Sequence, residues 1–124
     1  MATIGYATVG SNNLERAKAF YDALLGTGGM TGMFEHPSGG RAYGKDGNIC
    51  LVVLGPYNKE PATVGNGSMV GLRCDSTAEV DAIYAKAMSL GGKDEGAPGP
   101  RGPSFYISYF RDLDGNKLAA FFIG

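Results

Sequence analysis

A chain of 124 residues is long enough to bury one real core, and eleven Lys or Arg against twelve Asp or Glu leave a formal net charge of −1. That balance excludes a global electrostatic pull toward nucleic acid or an anionic membrane. Two cysteines, Cys50 and Cys74, are too few for a disulfide framework, and no apolar run approaches the roughly 18 residues that span a bilayer. Met1-Ala2-Thr3-Ile4-Gly5 carries no basic segment followed by an apolar one, so a reducing cytoplasm is the expected setting.

In chain order the first element is a strand over Ile4–Val9. A helix follows, opening at the capping-box-like Asn12-Asn13-Leu14-Glu15 and ending at Leu25-Gly26. Leu14, Ala17, Phe20, Tyr21, Leu24 and Leu25 form its apolar stripe at helical spacing. A middle strand around Arg41–Gly44 leads through Lys45-Asp46-Gly47-Asn48 into a strand over Ile49–Leu54. Asp-Gly-Asn between extended runs is a hairpin signal. Residues 56–67, rich in Pro, Asn and Gly, read as a linker.

The order then repeats. A strand over Met69–Cys74 precedes a helix that opens at Ser76-Thr77-Ala78-Glu79 and ends at Leu90-Gly91, with Val80, Ile83, Tyr84, Ala87, Met88 and Leu90 as its stripe. A glycine- and proline-rich loop over Gly91–Pro103 contains Arg101. A strand around Phe105–Arg111, the turn Asp112-Leu113-Asp114-Gly115-Asn116 and a strand over Lys117–Ile123 complete the second copy. Repetition of this kind defines the architecture. The expected class is α+β, with two paired β-α-β-β-β units (about 3–55 and 68–124) forming a curved sheet with a cup-shaped pocket, in one domain over 1–124.

Alternation along strands sorts side chains into two faces. Ala7, Val9, Cys50, Val52, Leu54, Val70, Leu72, Cys74, Leu118, Ala120 and Phe122 are apolar and are expected under the helices, which makes both cysteines buried thiols. The opposite set includes Tyr6, Thr8, Leu51, Val53, Met69, Arg73, Lys117, Ala119 and Phe121, mostly apolar with a few polar groups, which suits a small-molecule pocket or an ordinary second core layer. Tyr43, Tyr106 and Tyr109 are further candidates for aromatic walls. Arg73 has the chemistry to hold a carboxylate, or else to pair with an acid at the cup mouth. His36, alone in a loop before Pro37, reads as a solvated residue, and turn chemistry accounts for Asp112 and Asp114.

Asn13-Leu14-Glu15-Arg16-Ala17 with Phe20-Tyr21 and Leu24-Leu25-Gly26, then Glu79-Val80-Asp81-Ala82, Gly96-Ala97-Pro98-Gly99 and Tyr109-Phe110-Arg111-Asp112-Leu113-Asp114-Gly115-Asn116-Lys117-Leu118, together resemble the vicinal-oxygen-chelate superfamily of glyoxalase I, bleomycin-resistance proteins and extradiol dioxygenases. Metal-dependent members place donors in the first and last strands of each unit. The resemblance puts those positions at Tyr6, Leu51, Met69 and Ala119, which offer no imidazole, carboxylate or thiolate to a divalent ion. The expectation is therefore a small-molecule-binding protein without metal or cofactor, similar to the bleomycin-resistance branch. Its ligand is partly apolar or aromatic and contacts Tyr6, Thr8, Leu51, Met69, Arg73, Tyr109, Ala119 and Phe121. The resemblance also implies a homodimer. The alternatives are a superfamily enzyme that uses Arg73, Tyr6 or the Gly96–Pro103 loop without metal, and a degenerate interaction module.

Overall fold

The computed structural model describes residues 1–124, which form two compact units, Met1–Thr63 and Val64–Gly124. Each unit contains one helix and a four-stranded mixed sheet, and the class is α+β.

Unit one runs β1 (Ala7–Gly10), α1 (Leu14–Thr27), β2 (Thr31–Glu35), β3 (Arg41–Lys45), β4 (Asn48–Leu54), with sheet order β1-β4-β3-β2 and β1 parallel to β4. Asn13 caps α1 by accepting the Arg16 N–H at 3.1 Å. Asn12, the cap expected from its spacing three residues before Glu15, instead clamps Ala62 by accepting its N–H at 2.7 Å and donating to its carbonyl at 3.0 Å. The helix runs one residue past the expected Gly26 and is capped at Gly28. Asp46 and Gly47 both have positive φ, as the two central residues of a type I′ hairpin turn require.

The β3–β4 ladder contains a bulge. Tyr43 opposes Leu51 and Gly44 opposes Ile49, which leaves Cys50 without a partner. A Cβ on Gly44 would run into the Asn48 carbonyl oxygen and the Met33 sulfur, so this irregularity needs glycine. The extra residue shifts the alternation of β4 by one. Leu51 and Val53 pair with Ala7 and Val9 on one side and with Tyr43 and Arg41 on the other. Tyr43 and Arg41 both reach Asp22 of α1, so this is the helix side. The expected grouping is corrected accordingly: Leu51 and Val53 lie under α1, while Val52 and Leu54 face away with Thr8. Cys50 is exposed rather than buried, because the bulge lifts it out of the ladder.

Unit two runs β5 (Val70–Arg73), α2 (Thr77–Ser89), β6 (Lys93–Pro100), β7 (Phe105–Arg111), β8 (Lys117–Ile123), in the same relative order, β5-β8-β7-β6. Ser76 accepts the Glu79 N–H at 3.1 Å as N-cap, and Gly91 has positive φ just past the C-terminal end of α2. The β7–β8 ladder runs without a shift from Phe105 opposite Ile123 to Arg111 opposite Lys117. Leu72, Phe110, Leu118 and Ala120 are buried on the side from which Tyr106 reaches Asp81 of α2, so alternation reads correctly here.

The Gly91–Pro103 stretch, expected as a loop, contains β6. It carries two register shifts against β7, and Gly96 adopts φ +157°. An edge strand bonded along one side tolerates Pro98, Pro100 and bulges that a central strand would not, which is why its sequence lacks strand character. Arg101 donates to the carbonyls of Ala97 and Pro100 and closes this segment on itself.

Candidate functional site

In unit two the sheet face turned away from α2 is a grid of cross-strand rows. Arg73 of β5, Phe121 of β8 and Ile107 of β7 form one row, and Gly71, Ala119 and Tyr109 form the next. Lys117 and Arg111 lie beyond them. Phe121 and Tyr109 are half-buried, Ala119 is fully covered and Arg73 is exposed. The Phe121 ring leans over Gly71, where an added Cβ would lie 3.2 Å from its ring edge, and it packs 5.8 Å from the Phe105 ring. Lys117 Nζ sits 5.0 Å over the Tyr109 ring, a cation–π contact. Arg111 donates to Glu95 at 2.8 Å and holds that carboxyl below the usual carboxylate range. Four expected site residues, Arg73, Tyr109, Ala119 and Phe121, thus share one continuous surface. Met69 lies just before β5 and is 46% exposed. Cys74 follows β5 and is buried, and burial pushes its thiol up to about 11.

In unit one the face turned away from α1 carries Thr8, Ala42, Val52 and Leu54, and Tyr6 lies just before β1. Thr8 and Leu54 contribute to a groove of about 1060 Å³ whose other walls come from three loops, including Asn12, His36, Ser38, Tyr57, Lys59 and Glu60. Here the structure adds residues that sequence reading set aside. Ser38 donates its N–H to His36 Nδ1 at 3.1 Å, so the neutral imidazole carries its proton on Nε2. Ser38 Oγ lies 2.8 Å from the same nitrogen and accepts the Gly55 N–H at 3.0 Å. Loop residues 17 positions apart in the chain meet through these bonds. No periodicity marks them, and a motif made of contacts between distant loops leaves no local signal.

Two candidate aromatic walls belong to the helix sides instead. Tyr43 is fully buried and donates to Asp22 at 2.7 Å, and burial together with that carboxylate raises its phenol well above the ordinary value. Tyr106 donates to Asp81. Arg41 bridges Asp22 and Glu35 at 2.6 Å each, holding the Glu35 carboxyl below the usual range, and Lys18 lies 3.7 Å from Glu35. Asp112 accepts the N–H groups of Asp114 and Asn116 at 2.9 Å and orders the β7–β8 turn.

The duplicated pairings also correct one position. Ala119 pairs with Gly71, the counterpart of Thr8, and Thr8 pairs with Val52. The bulge at Cys50 therefore makes Val52, not Leu51, the equivalent of Ala119. The four metal-donor positions are then Tyr6, Val52, Met69 and Ala119. A phenol, two alkyl groups and a thioether do not fit the donor set of a divalent metal, and His, Cys, Asp and Glu form no cluster of three elsewhere.

No curated protein matches the chain. Among solved structures, a glyoxalase/bleomycin resistance protein from Albidiferax ferrireducens T118 is 38% identical, with 98% of each chain covered and a TM-score of 0.89. A lactoylglutathione lyase from Agrobacterium tumefaciens (21% identity, 98% of this chain and 94% of that one, TM-score 0.72) shares the fold. So does TnmS3, an antibiotic binding protein from Streptomyces sp. CB03234 (23% identity, 100% and 98% covered, TM-score 0.69). The model of the Glyoxalase/Bleomycin resistance protein/Dioxygenase superfamily matches residues 3–120, across both units, and the chain belongs to that superfamily.

Proposed function

We propose that this protein binds a small, partly apolar or aromatic molecule without a metal ion, on the sheet faces turned away from the helices. The observation that carries the reading is the chemistry of the four duplicated positions. Tyr6, Val52, Met69 and Ala119 leave nothing to hold a Lewis-acid ion, whereas the half-buried Phe121 and Tyr109 present aromatic surface on the face of unit two. The antibiotic-binding relative TnmS3 shows that this fold serves binding in another protein. The working form is a homodimer in the cytoplasm, in keeping with the resemblance.

Binding is tested by thermal-shift titration against flat aromatic compounds, combined with elemental analysis of the purified protein. A ligand at about a hundred times its Kd adds about 2.7 kcal/mol to stability and raises the melting temperature in a concentration-dependent way. One equivalent of a divalent metal, with a melting temperature that falls on chelation, would overturn the metal-free reading. No response to any aromatic compound would overturn the binding reading.

A further inference from the structure

We infer that the ligand is an anion, a small apolar or aromatic carboxylate anchored by Arg73. The inference rests on the binding reading above and adds the ligand's charge and its anchoring group. The face of unit two turned away from α2 carries four cations, Arg73, Lys93, Arg111 and Lys117, against one carboxylate, Glu95. Three further acids near this sheet are engaged elsewhere. Asp94 accepts from Tyr84 of α2, Asp81 accepts from Tyr106 on the helix side, and Asp112 orders its own turn.

Of the four cations, Arg111 is matched by Glu95, Lys93 lies opposite Arg111 two rows away from Phe121, and Lys117 lies over the Tyr109 ring. The Arg73 guanidinium has no ion pair or side-chain hydrogen bond within the chain, and its planar fork of donors matches a carboxylate bidentately. Its cross-strand neighbour is Phe121, one strand spacing away (about 4.8 Å), with Gly71 and Ala119 supplying no bulk in the next row. A hydrocarbon lying on the half-buried Phe121 ring therefore places an acidic terminus at Arg73. A cationic ligand would meet like charge on unit two, and a neutral one would leave Arg73 unmatched.

The test is an NMR titration of the labelled full-length protein with three isosteric probes, 3-phenylpropanoate, 3-phenylpropan-1-ol and 3-phenylpropylamine. The acid is expected to shift the resonances of Ala119, Phe121 and Tyr109 and to bind about tenfold or more tighter than the alcohol, the margin of one charge-assisted pair. Its affinity falls as salt is raised, because the pair is solvent-exposed. Arg73→Gln brings the acid down to the alcohol's affinity with an unchanged melting temperature, and Arg73→Lys retains part of the difference. Alcohol or amine binding as tightly as the acid at these resonances overturns the anion inference and leaves the binding reading standing. An acid affinity unaffected by Arg73→Gln removes Arg73 as the anchor. Failure of all three probes to move these resonances overturns the inference together with the binding of aromatics at this face.

Discussion

At residue 108 a hydroxyl is sealed on the helix side of the unit-two sheet, opposite Ala120, with no hydrogen-bond partner. An unsatisfied buried hydroxyl costs more than the methyl that would replace it. Ser108→Ala is therefore expected to stabilise the fold by about 1 kcal/mol, read as a higher urea midpoint at constant slope. The two cysteines also separate at this scale. Cys50 is exposed, whereas Cys74 is 2% exposed and its thiol lies near 11. Native protein at pH 8 is expected to take up one equivalent of iodoacetamide, and Cys50→Ser to abolish the labelling. Because the Cys74 value is raised above 9.0, its contribution to stability is fully present below pH 9 and is lost as pH rises toward 11. Cys74→Ala should flatten that alkaline part of the stability profile. The sequence placed Cys74 correctly and Cys50 incorrectly for one reason: the bulge that exposes Cys50 is a property of the ladder with Gly44, not of the strand that carries it.

Among the elements, β3 and β4 approach so closely that a Cβ on Gly40 would collide with the backbone carbonyl of Val53. Backbone cannot yield as a flexible side chain can, so Gly40→Ala is expected to cost about 3 kcal/mol or more in chemical denaturation. The outermost strand of unit one, β2, is tied to the rest of the unit partly by Arg41, whose side chain passes over Gly32 to reach Glu35 and Asp22. Since the Glu35 carboxyl is held below its ordinary 4.5, this tie is complete above pH 4.5 and weakens as pH falls below it. Arg41→Gln should therefore reduce the acid sensitivity of unfolding below pH 4.5, read as a smaller loss of urea midpoint there. Both helices were legible in the sequence because caps and stripes are contiguous. The strands β2 and β6 were not, because pairing with β3 and β7, rather than their own composition, makes them strands. Lys93-Asp94-Glu95-Gly96-Ala97-Pro98-Gly99-Pro100 becomes a strand through pairing with Phe105–Arg111.

For the whole molecule, superfamily membership and the α+β class follow from a pattern that covers residues 3–120, whereas ligand chemistry depends on the few side chains of one sheet face. The homodimer proposed above is checked by light scattering, where the expected mass is twice the 12.9 kDa of one chain. A concentration-independent mass of one chain would reject it. What the sequence by itself determined was the duplicated order of elements, the helix caps, the Asp-Gly-Asn turns, the outward face of unit two and the lack of metal donors. These are encoded in contiguous residues or repeated by the duplication. Tertiary structure decided the face of Leu51, the exposure of Cys50, the place of Val52 as counterpart of Ala119, and the groove where His36 meets Ser38 and Gly55. Each of these depends on hydrogen bonds between separate segments of the chain, and one unpaired residue in such a ladder is enough to turn the following residues of a strand to the opposite face.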